Sequence, residues 1–145
     1  TYSDLITNRK TDYKFDLEKF TNVNGKTGIY VQYSQVRARK LLENIEIKNN
    51  MVNHLNLNYI DKELLSKLYL FSYFLEQSAL LNEPHHLANY LYEISNLFNQ
   101  FYESEKISEI DELDYLSSKI YITNLFLTTS QNVMLCLGIA PVSKM

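Results

Sequence analysis

Apolar residues recur at spacings of three and four along much of this 145-residue chain. The clearest run follows Pro84, a residue suited to the first position of a helix, and continues to residue 104. Asn89, Glu93 and Asn96 fall on the opposite face, so this segment is predicted to be an amphipathic helix. The positions assigned to its buried stripe are Leu87, Tyr90, Leu91, Ile94, Leu97, Phe98, Phe101 and Tyr102.

The same periodicity predicts helical structure in two earlier segments. Residues 61–82 read as one broken helix or two short ones, started by Asp61 and ended by the sequence NEP. The polar stretch 44–58 before them is predicted to be a connector. Residues 28–45 form a further predicted helix, with a packing seam of Val31, Gln35, Ala38, Leu42 and Ile45.

A long helix is predicted near the end of the chain. It should run from about Ile110 to Leu137 and stop at Gly138, with Ser108 and Asp111 at capping spacing before it. Its apolar residues surround the cylinder, which predicts neighbours on several sides. One apolar line is assigned to Leu113, Leu116, Ile120 and Leu127.

Composition favours an all-α fold in one domain. Only 3 glycines and 2 prolines occur, too few turn residues for a many-stranded sandwich or barrel. An apolar content of 46% is enough for a substantial core. We therefore expect a helical bundle.

Charge is unevenly distributed along the chain. The net charge is −3, yet residues 1–72 carry 11 basic and 8 acidic side chains, whereas residues 73–145 carry 3 and 9. Binding depends on the local field more than on the total, so a polyanionic partner is compatible with this composition.

Several classes of protein and site are disfavoured. The apolar run 68–75 is too short for a membrane span and the polar N-terminal sequence is unlike a secretory signal, so we expect a cytoplasmic protein. We also expect a monomer. The lone Cys136 lies in an apolar run and is expected to be a buried structural thiol. No Gly-rich phosphate loop, Ser-His-Asp set or Cys-His pair is present.

A metal site is not expected either. His85 and His86 are adjacent, and neighbouring residues of a helix point about 100° apart, so they should not ligate one ion. The acidic run 109–114 could be read as a divalent-ion site, but the favoured interpretation is that it complements a helix dipole.

Candidate binding chemistry is concentrated in the segment TGIYVQYSQVRARKLL, residues 27–42. Tyr30, Tyr33, Arg37 and Lys40 step by three and four along one stripe. Aromatic rings stack on unpaired bases and guanidinium groups pair with phosphates, so the stripe suits single-stranded RNA. On periodicity alone, the alternative that these tyrosines are half-buried core residues is favoured.

Four blocks of the sequence together resemble the C-terminal part of arginyl-tRNA synthetases, including their helical, DALR-type anticodon-binding domain. The resemblance implies a class I synthetase bundle over residues 27–145, and a connector over residues 1–26 that follows a catalytic domain. The blocks, in the family's order, are DYKFDLEKF (12–20), TGIYVQYSQVR (27–37), PHHLANYLYEISNLFNQFY (84–102) and LGIAPVSKM (137–145).

The chain departs from the family pattern at three places. The family usually has proline where Ile29 stands, Ala-His where Ser34 and Gln35 stand, and Glu-Arg where Ser143 and Lys144 stand. The Ser34-Gln35 pair is expected to lie close to the RNA-binding surface.

The resemblance implies that the partner is the anticodon arm of arginine tRNA. Tyr33, Tyr102 and Met145 would form a platform for splayed bases, and Arg37 would contact phosphate or base, with Arg39 and Lys40 adding positive charge. The alternatives are that Tyr102 ends a core stripe, that Arg37 pairs with an internal carboxylate and that Met145 belongs to a frayed tail.

The catalytic signatures of class I synthetases, of the HIGH and KMSKS types, do not occur in this sequence. We therefore expect no aminoacylation by this segment alone and no cofactor in it, because ATP and arginine would bind the catalytic domain that the resemblance implies. The alternative from another functional class is a stand-alone helical adaptor that binds a protein partner, for example through the acidic second half.

Overall fold

A computed structural model describes residues 2–8, 10, 26–45 and 55–142. Within these ranges every regular element is a helix, which confirms the predicted all-α class. None of these helices is both long and apolar enough to cross a lipid bilayer. The α-helices are α1 (Tyr2–Leu5), α2 (Gly28–Asn44), α3 (Tyr59–Leu68), α4 (Phe71–Leu81), α5 (His85–Ser104) and α6 (Leu113–Cys136), and a short 3-10 helix (Ile107–Glu109) precedes α6.

The bundle is built around α5 and α6. These two helices contact each other, and both contact α2 and α3, while α4 packs on α5. Phe98 and Phe126 stack at the centre, with ring centroids 4.1 Å apart and planes 5° from parallel. The stripe predicted for α5 is confirmed: six of its eight members are buried, and Leu97 and Tyr102 are partly buried against the core.

Polar side chains fix where the first helices begin. The Thr27 hydroxyl accepts a hydrogen bond from the Tyr30 amide and caps α2. Asn58 and Asp61 form a reciprocal capping box at the start of α3. The segment 61–82 is therefore two short helices, and the first begins two residues before Asp61 because Asn58 is the cap.

The start of the last helix differs from its prediction. Ser108 lies in the 3-10 helix instead of capping α6, because Ile107 is buried and anchors that turn against the core. Glu112 occupies the cap position without a side-chain hydrogen bond. The predicted stop is confirmed, since Gly138 has a φ of 69° and its amide donates to the carbonyl oxygen of Leu135 over 3.0 Å.

The buried face of α6 is not the predicted apolar line. Leu113 is 60% exposed, whereas Lys119 is completely buried. Periodicity assigns charged residues to solvent. It failed here because Lys119 pairs with the buried Asp61 and the partly buried Glu105. The residues that α6 buries are Ser118, Lys119, Ile122, Thr123, Phe126, Thr129, Ser130, Val133 and Met134.

Three further predictions concern Cys136 and the segments 44–58 and 12–20. The expectation of a buried Cys136 is wrong, because this residue, at the end of α6, is exposed. The connector predicted at 44–58 lies largely outside the described residues, although 55–58 are non-helical. The block 12–20 lies entirely outside them.

Candidate nucleic-acid interface

A cleft of about 270 Å³ lies between α2 and α5. The stripe on α2 forms one wall, because residues three and four apart project from the same side of a helix. Amide and carboxylate side chains of α5 form the other wall. The lining residues are Tyr30, Tyr33, Arg37, Asn96, Asn99, Gln100 and Glu103.

Arg37 lines this cleft and lies close to two aromatic rings. Its guanidinium carbon is 4.5 Å from the ring centroid of Tyr33 and 5.1 Å from that of Tyr102. Both are cation–π distances, so each ring can stabilise the guanidinium. Tyr33 is 38% exposed and Tyr102 is half-buried, so the structure brings the three predicted residues together at the surface.

Polar contacts fix the same guanidinium. Arg37 Nη1 donates to Glu103 Oε1 over 2.7 Å and to Asn99 Oδ1 over 3.1 Å. Burial lowers the pKa of Arg37, but its hydrogen bonds with Glu103 and Tyr33 outweigh burial and raise that pKa overall. Arg37 is therefore always a cation, and its carboxylate partner stands at the rim, since the Glu103 side chain is 63% exposed.

The other predicted site residues have different positions. Tyr30 is half-buried, donates its hydroxyl to Asn96 Oδ1 over 3.2 Å and forms part of the cleft wall. Lys40 is exposed on α2, nearly one turn beyond Arg37. Arg39 donates to the Val142 carbonyl and so holds the C-terminal segment. Met145 lies outside the described residues.

Sequence reasoning missed Ser34 and Asn99, the two buried residues that hold Arg37 in place. Asn99 Nδ2 donates to Ser34 Oγ over 2.9 Å, and Ser34 Oγ donates to the Tyr30 carbonyl over 3.0 Å. Ser34 is completely buried, and Asn99 is nearly so. A continuous chain of hydrogen bonds thus runs from the backbone of α2 through Ser34 and Asn99 to Arg37.

Ser34 and Gln35, expected to lie close to the RNA-binding surface, are both fully buried, so neither side chain is itself exposed to a ligand. Gln35 Nε2 donates to Ser130 Oγ over 3.1 Å and contacts the Met134 sulfur at 2.9 Å. Both positions belong to the α2 seam, and Ser34 could have been found there, because it stands three residues after Val31 and four before Ala38.

The cleft offers a defined set of interactions. The exposed part of the Tyr33 ring is a stacking surface, Arg37 is a donor with permanent charge, and Glu103 is an acceptor at the rim. Amide groups of Asn96 and Gln100 add both donors and acceptors. This combination suits a planar, polar ligand that carries negative charge nearby, as an unstacked nucleotide does.

Comparisons with known proteins show which family the chain resembles. The family model described as the DALR anticodon binding domain matches residues 31–145. An arginine–tRNA ligase of Frankia casuarinae is 32% identical over 145 residues, which cover 99% of this chain and 24% of that protein. The chain thus spans about a quarter of the length of this curated relative.

Solved structures show the same similarity of fold. An arginyl-tRNA synthetase of Thermus thermophilus matches with a TM-score of 0.86 and 21% identity, over 99% of this chain and 25% of that one. An arginyl-tRNA synthetase of Plasmodium falciparum matches with a TM-score of 0.85 and 25% identity, over 99% of this chain and 26% of that one. The chain therefore belongs to the DALR anticodon-binding domain family.

Proposed function

We propose that this domain binds the anticodon arm of arginine tRNA and positions that tRNA for aminoacylation by a catalytic domain of the same synthetase. The observation that supports this most is the Tyr33–Arg37–Tyr102 arrangement, which places a cation and a partly open ring at the edge of a polar cleft. Family membership and the names of the relatives supply the class of partner.

In this proposal, one splayed anticodon base stacks on the exposed face of Tyr33. Stacking of a base on an aromatic side chain contributes about 1–3 kcal/mol and tolerates any base. Selectivity then comes from the edges of the base, which meet the side-chain amides of Asn96 and Gln100 and the carboxylate of Glu103. A carboxylate accepts from an exocyclic amino group, such as that of cytosine or adenine.

Arg37 supplies the charge for the neighbouring phosphate. In the free protein, Glu103 satisfies part of the guanidinium, and the phosphate shares Arg37 with that carboxylate in the complex. Lys40, exposed on the same helix, strengthens the positive field beyond the cleft. Affinity should therefore fall steeply as the salt concentration rises, because bound phosphates release counterions.

The test is fluorescence anisotropy with a labelled anticodon stem-loop of arginine tRNA. Tyr33→Ala should bind about 5- to 150-fold more weakly, which corresponds to the loss of one stacked base. The matched control is Tyr73→Ala, since Tyr73 is also an exposed helical tyrosine, 53% exposed on α4. Equal affinities of the two variants, or equal binding to a stem-loop with an unrelated anticodon, would contradict the proposal.

A further inference from the structure

A second cluster of ligand-type side chains lies at the turn between α4 and α5. It consists of Glu83, His85 and His86, and one ligand atom from each lies within 4.8 Å of the others. The cluster is distinct from the cleft, since His86 and Asn96 are separated by ten residues of α5, about 15 Å along the helix axis.

The two histidine rings converge, contrary to the expectation from their adjacent positions. His85 is the first residue of α5, and the ring centroids of His85 and His86 are only 4.2 Å apart. Both rings turn toward the same carboxylate oxygen, Glu83 Oε2, which is 3.1 Å from His86 Nε2 and 4.0 Å from His85 Nε2. The directions of the Cα–Cβ bonds therefore do not decide whether the two rings approach each other, because flexible side chains can bring them together.

The backbone that carries these three side chains is firmly held. Ser78 Oγ in α4 donates to the Glu83 carbonyl over 3.0 Å and accepts from the Leu87 amide over 3.1 Å. The Glu83 amide in turn donates to the Ser78 carbonyl over 3.1 Å, and Asn82 takes the left-handed conformation that closes α4. A preorganised turn lowers the entropic cost of assembling a ligand set.

We propose that Glu83, His85 and His86 bind a divalent transition-metal ion of the class that prefers imidazole, with Zn²⁺ as the representative ion. Two neutral imidazole nitrogens and one carboxylate oxygen are a known three-ligand set for Zn²⁺, and water completes the coordination. With metal–ligand bonds of about 2.1 Å, ligand atoms stand about 3.0 Å apart at a right angle and about 3.4 Å apart at the tetrahedral angle. The His86 Nε2–Glu83 Oε2 distance of 3.1 Å lies between these two values, whereas the His85 Nε2–Glu83 Oε2 distance of 4.0 Å exceeds the tetrahedral value, so His85 must rotate toward Glu83 to complete the site.

Lys10 competes with a metal ion for the Glu83 carboxylate. Its ammonium lies 2.7 Å from Glu83 Oε1, the carboxylate oxygen other than the one near the rings, and its side chain is 80% exposed. An exposed ion pair of this kind is weak and easily rearranged, so an ion on Glu83 Oε2 can displace it. Removal of the Lys10 charge should therefore strengthen metal binding, which a merely structural histidine pair does not predict.

The test is a Zn²⁺ titration of the chelator-stripped, tag-free chain, followed by calorimetry and by the melting temperature. We expect a single site, with affinity about tenfold or more lower in His85→Ala and in His86→Ala. His54→Ala is the matched control, because His54 is the one other histidine of the sequence. Lys10→Gln should bind Zn²⁺ roughly threefold more tightly, since it removes a nearby positive charge.

Folding of each variant is checked by its melting temperature without metal, and His86→Gln serves if His86→Ala is unstable. A shift of the melting temperature with Zn²⁺ should occur in the wild type and the His54→Ala variant, and should be clearly smaller in both site variants. Absence of binding in the wild type, or equal binding in the His54 and His86 variants, would overturn the proposal. So would Zn²⁺ binding that Cys136→Ser abolishes.

Discussion

Lys119 places its ammonium nitrogen 2.6 Å from a carboxylate oxygen of Asp61, and both side chains are completely buried. A second carboxylate, that of Glu105, lies 2.5 Å from the same nitrogen. The Tyr115 ring covers the ammonium at 4.5 Å, and its hydroxyl donates to Glu105. This network fastens the first turn of α3 and the segment after α5 to the second turn of α6.

The Lys119 network should dominate the effect of mutations on stability. Lys119→Met leaves the Asp61 carboxylate buried without its cation, so we expect the free energy of unfolding in urea to fall by about 3–5 kcal/mol. The double variant Asp61→Asn/Lys119→Met should recover part of that loss, because position 61 no longer carries a completely buried charge. The control is Lys67→Met, which breaks a partly exposed pair with Glu93 and should cost less than about 1 kcal/mol. Equal losses in the two single variants would contradict the buried-charge explanation.

The same network makes stability depend on pH in the acid range. Burial raises the pKa of Glu105, but hydrogen bonds from Lys119 and Tyr115 outweigh burial and lower that pKa overall. The unfolded chain then binds a proton at a higher pH than the folded chain does. The stabilisation is therefore complete above the ordinary carboxyl pKa of about 4.3 and is lost as the pH falls through the lowered folded value.

Glu105→Gln should accordingly flatten the pH dependence of unfolding. Urea denaturation at pH values from about 7 down to about 2 should show a smaller loss of stability in this variant than in the wild type. Glu103→Gln is the matched control, since Glu103 is mostly exposed and pairs with a surface guanidinium. A wild-type slope in Glu105→Gln would show that other carboxylates cause the acid sensitivity.

Sequence reasoning succeeded where burial follows hydrophobicity. The α5 stripe and the stop at Gly138 came directly from spacing and from the conformational preference of glycine. It failed where burial depends on a partner that is distant in sequence. Lys119 is 58 residues from Asp61, so no local pattern shows that this lysine has a buried counterion.

The candidate site shows the same division. The stripe of Tyr33 and Arg37 could be read from three- and four-residue spacing, and the resemblance added Tyr102. The role of Asn99 could not be read, because it depends on α2 and α5 packing with Ser34 and Arg37 on the same side. The convergence of the His85 and His86 rings could not be read either, because adjacent positions give the backbone directions but not the reach of the side chains.

Arg37 should contribute both charge and shape to RNA binding. Arg37→Gln removes the cation, so the slope of log affinity against log salt concentration should become shallower by about 0.7, the value for one single-strand phosphate contact. Arg37→Lys keeps the charge but loses the planar guanidinium beside the two tyrosine rings. Affinity should therefore fall, while the slope of log affinity against log salt concentration stays unchanged. Anisotropy titrations at several salt concentrations measure both quantities. An unchanged slope in Arg37→Gln would show that Arg37 makes no phosphate contact.

Ser34 and Asn99 should act on RNA binding through Arg37, and their two effects can be separated. Ser34→Ala leaves the Asn99 amide donor buried without its partner, which should cost about 1–3 kcal/mol of unfolding free energy. The double variant Ser34→Ala/Asn99→Leu replaces both polar groups with apolar ones and should recover most of that stability. It should still bind the anticodon stem-loop more weakly than the wild type, because Arg37 has lost the hydrogen bond that orients it. If affinity returned together with stability, the pair would be structural only, whereas stability without affinity identifies Asn99 as a residue that positions the guanidinium.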